Sequence, residues 1–156
     1  MAPGLKTLVF TVLVPGTVTG VIPLLLVHGR VRFGPLGLAG LGIALIVVGA
    51  ACYLRCAFDF VLTGRGTPAP IDPPRTLVAK GPYRFVRNPM YVGVLFVLLG
   101  EAAALGSISL FCYAVVVGLL FHWFVVLYEE PALGAKFGRA YAEYRDAVPR
   151  WLPRFR

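Results

Sequence analysis

The sequence predicts an all-α membrane protein of about four transmembrane helices, organised as one integral membrane domain over residues 1–156. Two observations carry this. Of the 156 residues, 58% are hydrophobic and only 14% are charged, where soluble domains run at roughly a quarter charged; the mean hydropathy is +0.80. Apolar runs recur that approach the ~20 residues needed to cross a hydrocarbon layer of ~30 Å. Such a composition excludes a disordered chain, a disulfide scaffold and a nucleic-acid module, so no nucleic acid is expected as partner. The net charge of +8 is instead a signal of topology.

The first run, residues 8–27, contains Pro15 and Pro23 and closes at His28, Arg30 and Arg32. It is longer than a signal-peptide core and lacks a small-residue cleavage pattern, so it reads as a span. The second run, residues 36–57, carries Gly37, Gly40, Gly42, Gly49 and several alanines. Small residues let helix backbones approach closely in lipid. Residues 59–89 change character: Gly64, Gly66, Pro68, Pro70, Pro73 and Pro74 forbid a regular helix, and Arg65, Asp72, Arg75 and Lys80 place the segment in water or headgroups. Runs 90–105 and 108–128 follow, joined so tightly through Gly106 and Ser107 that they form a helical hairpin. The first of them is short for a full crossing. Residues 131–156 alternate Lys136, Arg139, Glu143 and Arg145 with Leu133, Phe137, Tyr141 and Tyr144, the spacing of an amphipathic helix.

Lysine and arginine set the orientation. Arg65, Arg75, Lys80, Arg84 and Arg87 lie in the 59–89 loop, six more (Lys136, Arg139, Arg145, Arg150, Arg154, Arg156) lie in the tail, and the turn at Gly106 has none. Loop and tail are therefore expected on the cytoplasmic face, and with four spans the N-terminus joins them, in the cell inner membrane. Arg30 and Arg32 are a conflicting minority.

Two clusters resist a purely structural explanation. Arg87 stands at the entrance of the third run, where a charge at membrane depth costs roughly 2.5–3.5 kcal/mol without an anionic partner or a route to the headgroups. Glu129 and Glu130 stand at the end of the fourth run, where a helix dipole disfavours acids. Both clusters belong to neighbouring helix ends, so they are expected to face one pocket. Interfacial anchoring is the competing reading of Arg87. Cys52, Cys56 and Cys112 have no clustered histidine or acid, so no metal site is expected. His122 is expected to hydrogen-bond a neighbouring helix.

Leu77 and Val78, the stretch from Gly81 to Gly93 that contains Arg87-Asn88-Pro89-Met90-Tyr91, and Glu129, Glu130, Tyr141, Tyr144, Val148 and Pro149 together resemble the signature of the isoprenylcysteine carboxyl methyltransferase family and its phospholipid methyltransferase relatives. The resemblance covers the C-terminal half. It implies S-adenosylmethionine as methyl donor, held at the cytosolic face against Leu77, Val78, Tyr83, Asn88, Pro89, Met90, Tyr91 and Glu129, with Arg87 and Glu130 as catalytic residues. Arg87 suits a carboxylate of donor or acceptor through its fork of donors. The implied partner is a lipophilic small molecule or lipid entering from the bilayer, amid membrane lipids. Two positions depart from the pattern: Asn88 replaces a usual histidine, and Val125 stands where prenylcysteine enzymes carry an arginine, which puts that acceptor in doubt. Asn88 cannot act as a base, and a carboxylate needs none, so the chemistry leans to a carboxyl acceptor. Methylation of a phospholipid or other amine, with an acid as base, and a non-catalytic protein that kept the fold are the alternatives.

Overall fold

The computed structural model describes residues 3–28, 32–59, 62 and 77–153. No strand occurs among them, and the chain folds as α1 (Pro3–Gly16), α2 (Ile22–Leu26), α3 (Leu36–Asp59), α4 (Pro89–Ala104), α5 (Ile108–Phe124), α6 (Glu130–Phe137) and α7 (Arg139–Ala147). Most of the 59–89 loop, with Arg65 and Arg75, lies outside the described residues, as do Arg30, Arg154 and Arg156.

Among the described residues, three stretches are long and apolar enough to cross a membrane: Leu8–Leu26, Leu36–Asp59 and Ile108–Phe137. Helix α4, with 16 residues, is shorter; at 1.5 Å per residue it reaches roughly 24 Å. Its length is set by Pro89 at its first position and by the turn after Ala104, where Gly106 adopts φ +57°.

The prolines of the first run do not break it. A single π turn, Thr17–Val21, joins α1 to α2, with the Ile22 amide donating to the Thr17 carbonyl. Thr17 Oγ1 donates to the Leu13 carbonyl at 2.5 Å and Thr19 Oγ1 to the Pro15 carbonyl at 2.8 Å. A second π turn, Val125–Glu129, carries α5 directly into α6. The helical stretch that begins at Ile108 thus continues past residue 128 to Phe137. Pro131 sits in the first turn of α6, where a missing N–H costs little. Beyond it, the single amphipathic helix expected over 131–156 is replaced by two short ones, because Gly138 takes φ +51° and ends α6. After α7, Val148 is extended and the chain then bends through Arg150, Trp151 and Leu152.

Packing is closest between α3 and α4. A Cβ added to Gly49 would lie 2.5 Å from the Gly93 carbonyl, and one added to Gly100 would lie 2.6 Å from the Gly42 carbonyl. The two glycine pairs, spaced seven residues apart on each helix, let the backbones touch. This contact fixes where α4 begins relative to α3. Leu98 and Leu110, both fully buried, join α4 and α5 to the core. The N-terminal stretch is attached through α1, where Thr11 Oγ1 lies 3.1 Å from the Tyr53 hydroxyl, and through the π turn after it, where Tyr113 on α5 donates to the Val18 carbonyl at 3.0 Å.

Candidate active site

The segment before α4 is shaped by a 3₁₀ turn, Gly81–Arg84, whose Tyr83 is buried. Tyr144 of α7 donates to the Tyr83 carbonyl at 2.7 Å. Burial pushes the Tyr83 and Tyr144 hydroxyls above their ordinary value of 10, so both stay protonated at neutral pH. The C-terminal strap then closes on this segment. The Arg87 amide donates to the Pro149 carbonyl at 2.9 Å, and the Asn88 side-chain amide donates to the Arg150 carbonyl at 3.2 Å. Trp151 completes the closure by donating from its indole nitrogen to His122 Nδ1 at 3.2 Å. The expected partner of His122 on a neighbouring helix is thus a tryptophan of the strap.

Between these elements lies a cleft with a cavity volume of about 100 Å³, below the roughly 300–1,000 Å³ of small-molecule sites. Its lining is of two kinds: Arg87, Asn88, Tyr91 and Glu129 are polar, whereas Phe10, Val14, Pro15 and Val18 from the N-terminal stretch, Val94 from α4 and Phe121 from α5 are apolar. Tyr53, Tyr83 and Met90 complete the lining. Tyr91 donates to Glu129 Oε2 at 3.0 Å, and its ring centroid lies 4.7 Å from that of Phe121.

The two adjacent acids part company here. Glu129 lines the cleft, whereas Glu130 is turned into a cluster of ion pairs with Arg87, at 3.2 Å, and Arg150, at 2.6 Å. Arg87 also donates from Nη1 to the Tyr141 hydroxyl at 3.3 Å, while its Nε is buried with no hydrogen-bond partner among the described residues. Arg87 is thus no interfacial anchor, since its side chain is only 9% exposed.

Six of the residues singled out by the resemblance, Tyr83, Arg87, Asn88, Met90, Tyr91 and Glu129, meet in the cleft. Leu77, Val78, Pro89 and Glu130 are not in its lining. Val78 is buried in the core cluster behind Tyr83 and Met90, and Pro89 is fully buried at the start of α4, its carbonyl accepting from Cys52 at 3.6 Å. Val125, the position that carries arginine in prenylcysteine enzymes, is completely buried, so it lies in the core rather than in the cleft.

Sequence reasoning missed three contributors. Arg150 and Trp151 directly follow the motif residue Pro149, and that adjacency is the available signal; from sequence alone Arg150 counts only as a topology charge. The apolar wall from Phe10 to Val18 had no signal beyond hydrophobicity.

Among the described residues, the cleft lies among helices of which the longest have the length and apolarity of membrane spans. Residues 38–140, more than half of the chain, match the phospholipid methyltransferase family, and the chain belongs to it. It is similar to protein-S-isoprenylcysteine O-methyltransferase B of Arabidopsis thaliana, 40% identical over 78 residues that make up 49% of this chain and 39% of the relative. A second relative, protein-S-isoprenylcysteine O-methyltransferase of Schizosaccharomyces pombe, is 36% identical over 49% of this chain and 33% of its own length. A third, the cobalt-zinc-cadmium resistance protein CzcN of Cupriavidus metallidurans, is 32% identical over 87% of this chain and 52% of that protein. The chain thus spans between a third and about half of the length of these curated relatives. No solved structure matches it.

Proposed function

We propose that this chain is a membrane methyltransferase that moves a methyl group from S-adenosylmethionine to the carboxyl group of a lipophilic acceptor entering from the bilayer. The mixed lining of the cleft carries this reading: the polar side chains of Arg87, Asn88, Tyr91 and Glu129 suit the donor and the reacting group, and the apolar side chains suit a hydrocarbon tail. S-adenosylmethionine supplies a methyl group on a sulfonium, already a good leaving group. The protein's part is therefore mainly to hold the two reactants in line.

The residues present fit that donor. The rings of Tyr91 and Phe121 offer aromatic faces to a sulfonium. Glu129 suits an ammonium group or ribose hydroxyls, and the buried unpartnered Nε of Arg87 suits a carboxylate. Tyr83, Asn88 and Met90 shape the slot; Leu77, Val78 and Pro89 support it from behind, and Glu130 acts on it through Arg87. No base is required for a carboxylate acceptor, in keeping with an Asn88 whose amide is committed to Arg150. The O-methyl chemistry in the names of two relatives supports the same acceptor group.

In this reading the whole chain is one membrane domain in which α4 is the fourth, shorter span. The 59–89 loop, the tail and both termini face the cytoplasm of the cell inner membrane, as the positive charge of loop and tail supports.

An amine acceptor is the second reading, favoured by the presence of Glu129 in the cleft as an acid able to take a proton. Transfer of labelled methyl groups to a lipid extract tests both. Label released by mild alkali marks a methyl ester, and alkali-stable label marks a methylated amine. Binding of S-adenosylhomocysteine without any transfer marks a non-catalytic protein.

A further inference from the structure

Two guanidiniums, those of Arg87 and Arg150, converge on one carboxylate, Glu130. Arg150 takes both of its oxygens, Nε reaching Oε1 at 2.6 Å and Nη2 reaching Oε2 at 3.0 Å. Arg87 keeps one contact with the acid, from Nη1 to the shared Oε1. The cluster therefore holds one positive charge more than its acid neutralises. That surplus falls on Arg87, whose side chain is 9% exposed against 32% for Arg150, and Arg87 is the member that lines the cleft.

We propose that Arg150 is a positioning residue for Arg87: by occupying both oxygens of Glu130 it keeps Arg87 from closing a two-point fork on that acid. The Arg87 guanidinium is thereby held for a carboxylate in the cleft. This rests on the methyl-transfer reading of the cleft and adds the residue that keeps its anion-binding group available. The physical reason is competition: two parallel N–H donors on one carboxylate are the preferred arrangement of an arginine, and a buried acid without one attracts the nearest guanidinium. With Arg150 truncated, that guanidinium is Arg87. The strap itself does not depend on the Arg150 side chain, because Pro149, the Arg150 carbonyl and Trp151 are fastened by Arg87, Asn88 and His122 through separate hydrogen bonds.

The experiment uses the full chain in detergent as parent, Arg150→Met, Arg150→Lys and Arg150→Met with Glu130→Gln. Titrations with S-adenosylhomocysteine and its decarboxylated analogue, and with oleate and oleylamine, measure the preference for a carboxylate. The parent is expected to prefer the carboxylate of one pair by about tenfold or more, and that pair identifies donor or acceptor as the source. Arg150→Met is expected to lose the preference, and Glu130→Gln to restore it, since a neutral amide no longer draws Arg87 away. Arg150→Lys, which keeps the charge without the fork, is expected to fall between and serves if the methionine variant does not fold. Thermal unfolding supplies a readout that needs no ligand: the coupling between Arg87 and Glu130, from a double-mutant cycle, should grow when Arg150 is replaced. If the parent prefers neither carboxylate, the methyl-transfer reading fails and the coupling alone decides on Arg150. A preference that survives Arg150→Met, or a coupling unchanged by it, overturns the proposal.

Discussion

Asn88 donates its side-chain amide to the Arg150 carbonyl at 3.2 Å, so the residue that replaces the family's usual histidine is a brace between the start of α4 and the C-terminal strap. Asn88 is 8% exposed, and its removal would strand a carbonyl at the closure of the site. Asn88→Ala is expected to lower stability by about 1–3 kcal/mol, read as a lower midpoint of thermal unfolding in detergent. A midpoint equal to that of the parent would contradict the bracing role.

The same position separates the two acceptor chemistries. Histidine titrates near 6.5 and adds base catalysis of about 10² to 10⁴-fold where a proton must be removed. With a carboxylate acceptor no proton leaves, so Asn88→His is expected to change the pH dependence of the rate little. A gain above about tenfold between pH 6 and 8, the range over which such a base deprotonates, would favour an amine acceptor instead.

Tyr91 and Glu129 are expected to act together on donor binding. Tyr91→Phe deletes the 3.0 Å hydrogen bond to Glu129 and should weaken S-adenosylhomocysteine binding about tenfold in a calorimetric titration. Glu129→Ala should weaken it at least as much, and the double variant should cost less than the sum of the two. Additive losses would mean that the pair does not work as a unit.

The apolar lining of the cleft is expected to receive the acceptor's tail. Val14→Trp adds bulk to it from α1 and should raise the KM of a long-chain acceptor while leaving S-adenosylhomocysteine affinity unchanged. Equal loss in both measurements would mean that donor and tail do not use separate parts of the lining.

The glycine pairs of α3 and α4 should govern stability without touching the chemistry. Gly100→Ala brings a Cβ to 2.6 Å from the Gly42 carbonyl and is expected to cost about 1–3 kcal/mol, whereas Gly37→Ala, with nothing within 4 Å of its added Cβ, serves as the control. Detergent unfolding midpoints of the two variants test this.

Much of the fold is legible in the chain itself. Apolar runs separated by charged or Gly/Pro-rich stretches dictate helices of set length, and Gly106-Ser107 between two such runs dictates a hairpin, because a chain in hydrocarbon must satisfy its backbone within each helix. The motif around Arg87 and the acid pair named the cleft's polar lining for a related reason: it groups residues that one short segment and one helix end must carry. Tertiary structure decided the rest. Adjacent residues on a helix point about 100° apart, so that Glu129 faces the cleft and Glu130 faces Arg150 depends on the π turn that ends at Glu129 and on where α4 and the strap come to lie. The partnership of Arg150 with Glu130, 20 residues away, and the wall that α1 lends to the cleft are contacts between elements distant in sequence. No local pattern encodes them, because they exist only once the glycine pairs have set α3 against α4 and the strap has closed over both.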